Sequence, residues 1–317
     1  MNLTRCLLLA AVALSIAGSA AAAEPAAWPT IQPARLVVNA ATAPVLAVAR
    51  AGQRVVAVGD YGVVLLSDDG RQFRQAKAVP VRSLLTSVQF VDERRGYAAG
   101  HDGVVLGTQD GGETWALLRA ESGKEQPVLS LHFDSPEHGI AVGLYGWAIE
   151  TRDAGKTWSP LQVAQGEGAD RHLMHVFTSG SGAWLIVGEG GVVFRSGDKG
   201  QSWEQVEVGS KGSLWHGLAL SDGSLLACGM RGHLHRSADD GKTWQEVDTH
   251  TTQSLTGIAQ LQDGKVVVVG MGGTVLESRD GGRRFTATVR GQQEPLTAVL
   301  ANGPQPLILS MGGPIKP

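Results

Sequence analysis

The sequence has 317 residues, of which 43% are hydrophobic and 18% charged, with a formal net charge of −3. This length suffices for one large domain or two ordinary ones, and the lack of any Lys/Arg-rich run argues against nucleic acid as a partner. The 43 glycines show no collagen-like period and therefore predict many tight turns.

The first 23 residues have the features of a secretory signal peptide. Arg5 precedes an apolar stretch from Cys6 to Ile16, and Ala21 and Ala23 fit an A-x-A cleavage site. The stretch is short for a membrane span of about 20 residues, so an uncleaved anchor is the less favoured alternative. We expect a periplasmic or otherwise exported protein, whose mature part (24–317) is a single domain without a transmembrane span.

Glycine pairs recur along the rest of the chain. Each copy places Gly-x-x-Gly inside an apolar run, as in VAVGDYGVVLLS (56–67) and YAAGHDGVVLGT (97–108). A seventh partial copy, LILSMGGPI, places Ser310 in the same register. The spacing of 41 to 45 residues indicates one supersecondary unit per repeat. The first glycines of the complete pairs are Gly59, Gly100, Gly143, Gly188, Gly229 and Gly270.

Each repeat predicts four short antiparallel strands, called strands A to D. Strand A is the first apolar segment, such as LLTSVQF (84–90), and strand B runs into the first glycine. Strand C begins at the second glycine, and strand D begins at a Trp or Phe. The two residues between the glycines suit a tight hairpin turn with positive φ. The repeats predict an all-β fold, a seven-bladed β-propeller with four-stranded antiparallel blades.

The last repeat, 295–317, predicts strands A and B and a short strand C, but no strand D. An apolar segment near the N terminus, ARLVV (34–38), precedes blade 1 without a partner. We therefore expect residues 34–38 to complete blade 7, so that both chain ends lie in one sheet and no open edge remains.

A second motif, Ser/Thr-x-Asp-x-Gly-x-Thr/Ser-Trp, recurs at the turn between strands C and D, as in TRDAGKTW (151–158). A carboxylate in such a turn can accept hydrogen bonds from backbone N–H groups of the same turn, and the aromatic ring can pack between blades. Repetition in six of the seven blades favours a structural role over catalysis. The predicted structural acids are Asp69 (in a contracted copy), Asp110, Asp153, Asp198, Asp239 and Asp280.

This motif resembles the Asp-box, or bacterial neuraminidase repeat. Together with GYAAGHDGVVLGTQDGGETW (96–115) and GIAVGLYGWAIETRDAGKTW (139–158), it resembles the photosystem II stability/assembly factor family over nearly all of residues 40–290. The resemblance implies a non-enzymatic scaffold that helps to assemble a membrane complex. The leader has no twin-arginine pair or lipobox, and nothing in the chain indicates a photosynthetic organism. The resemblance therefore supports the propeller fold more strongly than it supports photosystem II as the target.

No catalytic residues, cofactor or metal are predicted. A sialidase-like propeller needs an arginine triad, a tyrosine nucleophile with a glutamate partner, and an acidic proton donor. The sequence contains three tyrosines, Tyr61, Tyr97 and Tyr145, and no Arg-Ile-Pro segment near the mature N terminus. A sialidase is therefore disfavoured.

Two histidine pairs are candidate metal ligands. His233 with His235, and His172 with His175, lack further ligands at a recognised spacing, so a structural or solvated role is favoured. His175 lies in strand A, nearest the propeller axis, and could project into a channel, although a packed histidine with a local hydrogen bond is the favoured interpretation. The other blades place small residues at its aligned position: Ala47, Ser87, Ser130, Gly217, Gly257 and Ala298.

The two residues between the paired glycines, which form the turn between strands B and C, differ from repeat to repeat. In a propeller these turns share one face with the links between strands D and A, and the Asp-box turns lie on the other face. Tyr, Arg and Met are enriched at protein interfaces, although unconstrained surface turns would vary equally. The predicted partner-binding rim comprises Asp60, Tyr61, His101, Asp102, Tyr145, Glu189, Met230, Arg231 and Met271.

The favoured hypothesis is therefore a monomeric, exported, non-enzymatic propeller that binds a protein partner and aids assembly or stability of a membrane or envelope complex. The alternative is a carbohydrate-binding or diverged, sialidase-like glycoside hydrolase propeller. Two carboxylates and several arginines at the mouth of the axial channel would favour that alternative.

Overall fold

The computed structural model describes residues 31–121, 126–166 and 168–315. The predicted leader (1–23) lies outside the described residues. Helical structure in the described part consists of short 3-10 turns of three residues, and none of these helices could cross a membrane. Everything else of regular structure is β-strand.

Seven antiparallel sheets confirm the predicted seven-bladed β-propeller, and six of them have four strands in the order A-B-C-D. Blade 1 comprises β1 (Val45–Ala51), β2 (Arg54–Gly59), β3 (Val64–Ser67) and β4 (Arg74–Gln75). Blade 2 comprises β5 (Leu85–Phe90), β6 (Gly96–Gly100), β7 (Val105–Thr108) and β8 (Ala116–Arg119). Blade 3 comprises β9 (Val128–Phe133), β10 (Gly139–Gly143), β11 (Ala148–Thr151) and β12 (Ser159–Pro160).

The remaining blades repeat this order. Blade 4 comprises β13 (Leu173–Thr178), β14 (Trp184–Gly188), β15 (Val192–Ser196) and β16 (Glu204–Glu207). Blade 5 comprises β17 (Leu214–Ala219), β18 (Leu225–Gly229), β19 (Leu234–Ser237) and β20 (Gln245–Glu246). Blade 6 comprises β21 (Leu255–Gln260), β22 (Val266–Gly270), β23 (Thr274–Ser278) and β24 (Thr286–Val289). Blade 7 comprises β25 (Leu296–Asn302), β26 (Gln305–Ser310) and β27 (Gly313–Pro314).

The hydrophobic core lies between neighbouring blades. The B strands are buried along almost their whole length, as in β22, because both faces of each sheet are covered by adjacent sheets. Apolar residues of two or more blades therefore form each core cluster, for example Val267 and Val269 of blade 6 with Leu296 and Ile308 of blade 7. This radial packing buries faces that a single four-stranded sheet would leave in water.

The predicted closure of blade 7 by residues 34–38 is not confirmed. These residues form no strand, and blade 7 is a three-stranded sheet. The N–H of Ala34 instead donates to Val79 O at 2.9 Å, and the Gln75 side chain bonds Arg35 O and Val37 N. The segment is therefore held against the outer part of blade 1 and not beside β27.

Direct contact between blades 7 and 1 closes the ring. Thr297 Oγ1 donates to Val45 O at 2.6 Å, and Arg50 Nε donates to Ala301 O at 3.1 Å. Apolar residues of both blades share one core cluster that includes Val45 and Leu309. Side-chain packing thus joins the two ends of the propeller without a shared strand.

The glycine pairs fix the B-to-C turns through close backbone contacts. Gly100 is extended, with φ −175°, and a Cβ there would lie 1.9 Å from Leu84 O, which precedes strand A of the same blade. Gly62 has φ +68°, and a Cβ there would lie 2.1 Å from Val81 O in the link to blade 2. The first glycine is needed for space, and the second for space and for a left-handed φ.

Candidate functional site

The Asp-box carboxylates are engaged within their own turns. Asp153 Oδ1 accepts hydrogen bonds from Thr157 N (2.8 Å) and Thr151 Oγ1 (2.9 Å), and its Oδ2 accepts from Thr157 Oγ1 (2.6 Å). The hydrogen bonds from Thr157 lower the pKa of Asp153. Trp158 closes the turn by donating from Nε1 to Gly155 O at 3.1 Å.

The same arrangement recurs in the C-to-D turns of the other four-stranded blades. In each full copy the acid accepts from the residue four positions ahead and from the Ser or Thr two positions behind. In the contracted copy, Asp69 accepts from Arg71 N, Gln72 N and Ser67 Oγ. These acids sit in separate blades and each occupies its own turn. The acids of the full copies are Asp110, Asp153, Asp198, Asp239 and Asp280.

We predict that Asp239→Ala lowers the free energy of unfolding by about 1–2 kcal/mol, because it removes three hydrogen bonds from Thr243 and Ser237. Asp170→Ala is the control, since Asp170 is an exposed link residue, and it should change stability by less than about 0.5 kcal/mol. Urea unfolding followed by tryptophan fluorescence measures both. Equal stability of the two variants would contradict a turn-fastening role for the Asp-box acid.

The opposite face carries the B-to-C turns. In blade 1, Asp60 N donates to Pro44 O and Gly62 N donates to Ser83 O, so this turn is bonded to both links that flank it. Tyr61 is 70% exposed and Tyr145 is 65% exposed. His101, Arg231 and Met271 are also exposed, whereas Met230 is half-buried. The acidic rim residues make local bonds: Asp60 Oδ1 accepts from Tyr61 N at 2.8 Å, and Asp102 Oδ2 accepts from Ser83 Oγ at 3.0 Å.

The second central residue of each complete turn has a left-handed backbone. Blades 4 and 6 use glycine there, Gly190 and Gly272, with φ of 74° and 62°. Tyr61, Tyr145 and Arg231 adopt the same conformation with φ of 52°, 55° and 55°, as does Asp102 with φ of 60°. For a residue with a Cβ this conformation costs roughly 1–2 kcal/mol. Large side chains are thus displayed at positions where glycine would fit with less strain.

One side of this rim is locally organised around His172. Tyr145 N donates to His172 Nδ1 at 3.0 Å, and the two rings pack edge to face with centroids 4.7 Å apart. His172 N donates to Glu189 Oε2 at 3.2 Å. His172 thus joins the turns of blades 3 and 4, whereas His175 lines the channel.

Sequence reasoning missed one rim residue, Met311. It is 46% exposed and occupies in blade 7 the turn position that Met271 occupies in blade 6. The segment LILSMGGPI already carried the signal, since its Met follows Ser310 as Met271 follows Gly270.

The axial channel is lined by the A strands in two layers next to the rim face. The first layer contains Leu46, Thr86, Leu129, Met174, Trp215, Thr256 and Thr297. Each residue of the second layer pairs with the strand B residue that precedes the first glycine of the pair, or Ser310 in blade 7. These residues are Ala47, Ser87, Ser130, His175, His216, Gly257 and Ala298. The predicted alignment of Gly217 with His175 is therefore wrong, because Gly217 lies one residue further along strand A and His216 takes the ring position.

The two ring histidines stack on each other, with centroids 4.2 Å apart and an interplanar angle of 26°. Gly217 N donates to His175 Nδ1 at 3.3 Å. The same inter-blade bond is made by Ser87 Oγ, which accepts from Leu131 N, and by Ser130 Oγ, which accepts from Val176 N, each at 3.1 Å. His175 thus has the local hydrogen bond of a packed histidine and also lines the channel.

Burial lowers the pKa of each histidine around the axis. The pKa of His216 falls to about 4, and its buried Nδ1 has no hydrogen-bond partner among the described residues. Burial, assisted by the neighbouring His216, holds the pKa of His175 well below the usual value for histidine. Burial also lowers the pKa of His132 to about 4, and its Nε2 lies 3.1 Å from Thr178 Oγ1. All three imidazoles are therefore neutral near pH 7.

The remaining histidine pair is structural. His233 Nδ1 lies 2.7 Å from Glu246 Oε1, and the buried His235 places Nε2 3.0 Å from Ser210 Oγ. Their ring centroids are 6.1 Å apart. Within the described ranges, no group of three or more His, Cys, Asp or Glu residues is placed to hold a metal ion.

Together the fold and its Asp-box turns define a seven-bladed β-propeller of the bacterial neuraminidase repeat class. The family that the chain resembles is the photosynthesis system II assembly factor YCF48, whose family model matches residues 119–267. The resemblance to photosystem II assembly factors is thereby confirmed. No curated protein matches the sequence significantly.

Solved structures share the fold at low sequence identity. "YCF48 bound to D1 peptide" is 20% identical, with a TM-score of 0.70, over 90% of this chain and 96% of that chain. YCF48 from Cyanidioschyzon merolae is 15% identical, with a TM-score of 0.68, over 89% and 97%. A streptogramin B lyase is 9% identical, with a TM-score of 0.74, over 90% and 97%. At these identities the likeness establishes the fold alone.

Proposed function

We propose that this chain is an exported, monomeric, non-enzymatic propeller that binds a protein partner through the rim of B-to-C turns. Its task would be to aid the assembly or stability of a membrane or envelope complex. The resemblance to the YCF48 family supports this role. One of the similar structures is YCF48 bound to a D1 peptide, so a related propeller binds a polypeptide segment.

The rim geometry carries the proposal. Tyr61, Tyr145 and Arg231 project large side chains from left-handed positions, although Gly190 and Gly272 serve at the equivalent places. Residues kept in a strained conformation often mark functional sites, and Tyr and Arg are the types that dominate interface energetics. The exposed Met271 and Met311 extend this surface with adaptable apolar contacts.

The channel lining does not favour the carbohydrate-active alternative. Hydrolysis by a glycosidase uses two carboxyl groups that flank the scissile bond. The described residues that line the axial channel are apolar or neutral polar, with His132, His175 and His216 as the titratable groups. The Asp-box acids are engaged in turns on the opposite face from the rim.

The test is partner capture by a rim variant that does not lose stability. We predict that the triple variant Tyr61→Gly, Tyr145→Gly and Arg231→Gly reduces captured partner at least about 10-fold, as expected for loss of interface anchors. Its free energy of unfolding should stay the same or rise by up to about 1 kcal/mol, because glycine relieves the left-handed strain. Affinity purification from the envelope fraction, with quantitative mass spectrometry, measures the capture.

A matched control changes the opposite face. Lys156→Ala, Lys199→Ala and Lys242→Ala together remove three exposed side chains from Asp-box turns. This control should capture as much partner as the wild-type protein. Undiminished capture by the glycine triple variant would reject the rim as the binding surface.

A further inference from the structure

We propose that residues 31–38, called the docking segment, attach the propeller reversibly to a membrane surface that contains anionic lipid. The segment lies over the outer strand of blade 1, next to the rim. The inference goes beyond the proposed protein-binding function, and lipid vesicles test it without any protein partner.

Exposed apolar side chains are concentrated in the docking segment. Ten large apolar side chains are exposed in the described part of the chain, and four of them belong to these eight residues. Leu36 is 75% exposed, and Val38 is 101% exposed, so no other part of the described fold covers it. The other two are Ile31 and Val37. Contiguous apolar exposure of this kind marks a surface that binds protein or membrane.

Hydrogen bonds hold the segment in place on the propeller. In addition to its bonds with Gln75 and Val79, it is fixed by Arg82, whose Nε donates to Pro33 O at 3.0 Å. These bonds engage the backbone of the segment and leave the apolar side chains free. The fold thus displays the side chains at a defined place.

The surroundings of the segment are basic. Residues 31–44 and the neighbouring residues 74–84 together contain four basic side chains and no Asp or Glu. Two of the four, Arg74 and Lys77, pair with Glu113 of the adjacent Asp-box turn. The other two are left to interact with a partner.

These two cations are Arg35 and Arg82. Arg35 is exposed and Arg82 is partly exposed, and neither has an ion-pair partner among the described residues. The bond from Arg82 to Pro33 O places its guanidinium group beside the apolar side chains. Arginine next to exposed apolar residues matches the chemistry of an anionic lipid surface, which attracts the cations and accepts the apolar groups.

The shape of the segment favours lipid over a protein groove. Residues 31–38 line neither part of the axial channel, and Leu36 and Val38 project from the surface. A protein partner would need a groove that matches these side chains. A lipid interface accepts them to a depth of about 5–10 Å in any arrangement, while arginine stays at the level of the head groups.

The segment adjoins one turn of the rim. A Cβ placed on Gly62 would lie 3.3 Å from Ala34 Cβ, and the preceding residue, Tyr61, is 70% exposed. Tyrosine is enriched at membrane–water interfaces. Attachment through the docking segment would bring the blade 1 side of the rim to the membrane surface, where a membrane-bound partner can meet the other turns.

The test measures co-sedimentation of the protein, as recovered from the envelope fraction, with phospholipid vesicles. We expect binding to phosphatidylcholine vesicles that contain about one third phosphatidylglycerol, and binding at least about 5-fold weaker to phosphatidylcholine alone. Raising NaCl from about 0.05 M to about 0.5 M should weaken the binding, because salt screens the attraction between arginine and the head groups.

The apolar contribution is tested by a double variant. Leu36→Ser with Val38→Ser should reduce binding to the anionic vesicles at least about 10-fold, because it removes the inserted side chains. Leu117→Ser with Val289→Ser is the matched control, since these side chains are also exposed but lie on blades 2 and 6. The control should bind as the wild-type protein does. Thermal midpoints of both should stay near that of the wild-type protein, because all four sites are on the surface.

The charge contribution is tested by a second double variant. Arg35→Gln with Arg82→Gln should weaken binding to the anionic vesicles about 5-fold for each charge removed and should leave little preference between the two kinds of vesicle. Arg71→Gln with Arg94→Gln is the matched control, because both are exposed arginines that lie away from the segment. This control should keep the preference for anionic vesicles.

A fluorescent label reports insertion directly. In Val38→Cys, a nitrobenzoxadiazole label should shift its emission to the blue on addition of anionic vesicles, and the same label in Val289→Cys should not shift. Cys228 is buried, so the label goes to the introduced cysteine. Vesicle binding without a shift at Val38 would show that another part of the chain binds lipid and would overturn the proposal.

The proposal is also overturned if the wild-type protein does not bind the anionic vesicles, or if the Leu36 and Val38 double variant binds them as well as its control does. Loss of partner capture by that double variant, without vesicle binding by the wild-type protein, would make the segment a protein contact instead. None of these results decides the proposed function, which is tested by capture through Tyr61, Tyr145 and Arg231.

Discussion

Gly100→Ala is expected to lower the free energy of unfolding by about 4 kcal/mol or more, which is beyond the range of ordinary point substitutions. The added Cβ would lie 1.9 Å from Leu84 O and 2.8 Å from Leu85 Cα, both of them backbone atoms that a rotamer change cannot move. Strand A must shift away from strand B, and the His101 N–H bond to Leu84 O, now 2.9 Å, would lengthen. The cost comes from steric displacement, because the φ of Gly100 is extended and allowed for alanine.

Gly180→Ala is the matched control, since no atom lies within 4 Å of a Cβ there and its φ is not left-handed. Its free energy of unfolding should change by less than about 1 kcal/mol. Equilibrium denaturation of both variants, with near-UV circular dichroism as a second probe, gives the comparison. A Gly100→Ala protein as stable as Gly180→Ala would show that the B-to-C turn yields easily and that the glycine spacing has another cause.

The repeat and its strands could be predicted from the sequence because each blade obeys local rules. The Gly-x-x-Gly pair is needed because the B-to-C turn lies against backbone carbonyls, as Gly62 lies against Val81 O. The Asp-box is needed because N–H groups of the C-to-D turn require an acceptor, which Asp153 provides for Thr157 N. Both motifs recur at a nearly constant spacing, so the repeats of a single sequence can be aligned with one another. The number of blades and the order of strands follow from that period.

The position of the N-terminal segment could not be predicted in this way. The apolar residues 34–38 suit a strand, but their placement depends on the Gln75 side chain and the Val79 carbonyl, which lie about 40 residues away in sequence. Ring closure depends equally on long-range partners such as Thr297 and Val45. Strand propensity alone does not predict such partners, because tertiary contacts decide against which part of the fold an apolar segment packs.

The channel was predicted only in part. The position of His175 near the axis was predicted, but the alignment of the strand A segments placed Gly217 at the position that His216 occupies. Counting back 13 residues from the first glycine gives Ser87 from Gly100, His175 from Gly188 and His216 from Gly229. The glycine is the better reference point, since the B-to-C turn bonds directly to the start of strand A.

The rim residues were predicted from their position in the turns. The structure adds that non-glycine residues among them have a left-handed backbone. Positive φ was expected from the hairpin, and it falls on the second central residue, such as Tyr61 and Arg231, and on the second glycine.

Acidification is expected to destabilise the protein between pH 6.5 and about 4 through the channel histidines. In the unfolded chain a histidine titrates near pH 6.5, whereas burial lowers the pKa of His132 and His216 to about 4 and that of His175 well below the usual value. The unfolded state therefore binds more protons in this window, and the free energy of unfolding falls as the pH falls. From pH 7.5 to 5.0 the loss should be roughly 1–2 kcal/mol for each of these histidines.

The variant His216→Asn should flatten this pH dependence by roughly 1–2 kcal/mol, because asparagine has no proton to bind in the window. The Asp-box acids do not interfere, since hydrogen bonding to Thr157 and to Ser202 lowers the pKa of Asp153 and Asp198 from already acidic values. His250→Asn serves as the control, because that side chain is 64% exposed and lies beside Asp248. Urea unfolding at pH 7.5 and 5.0 measures the slope. If His216→Asn lost as much stability on acidification as the His250→Asn control, exclusion of a proton from His216 would not be the cause of the pH dependence.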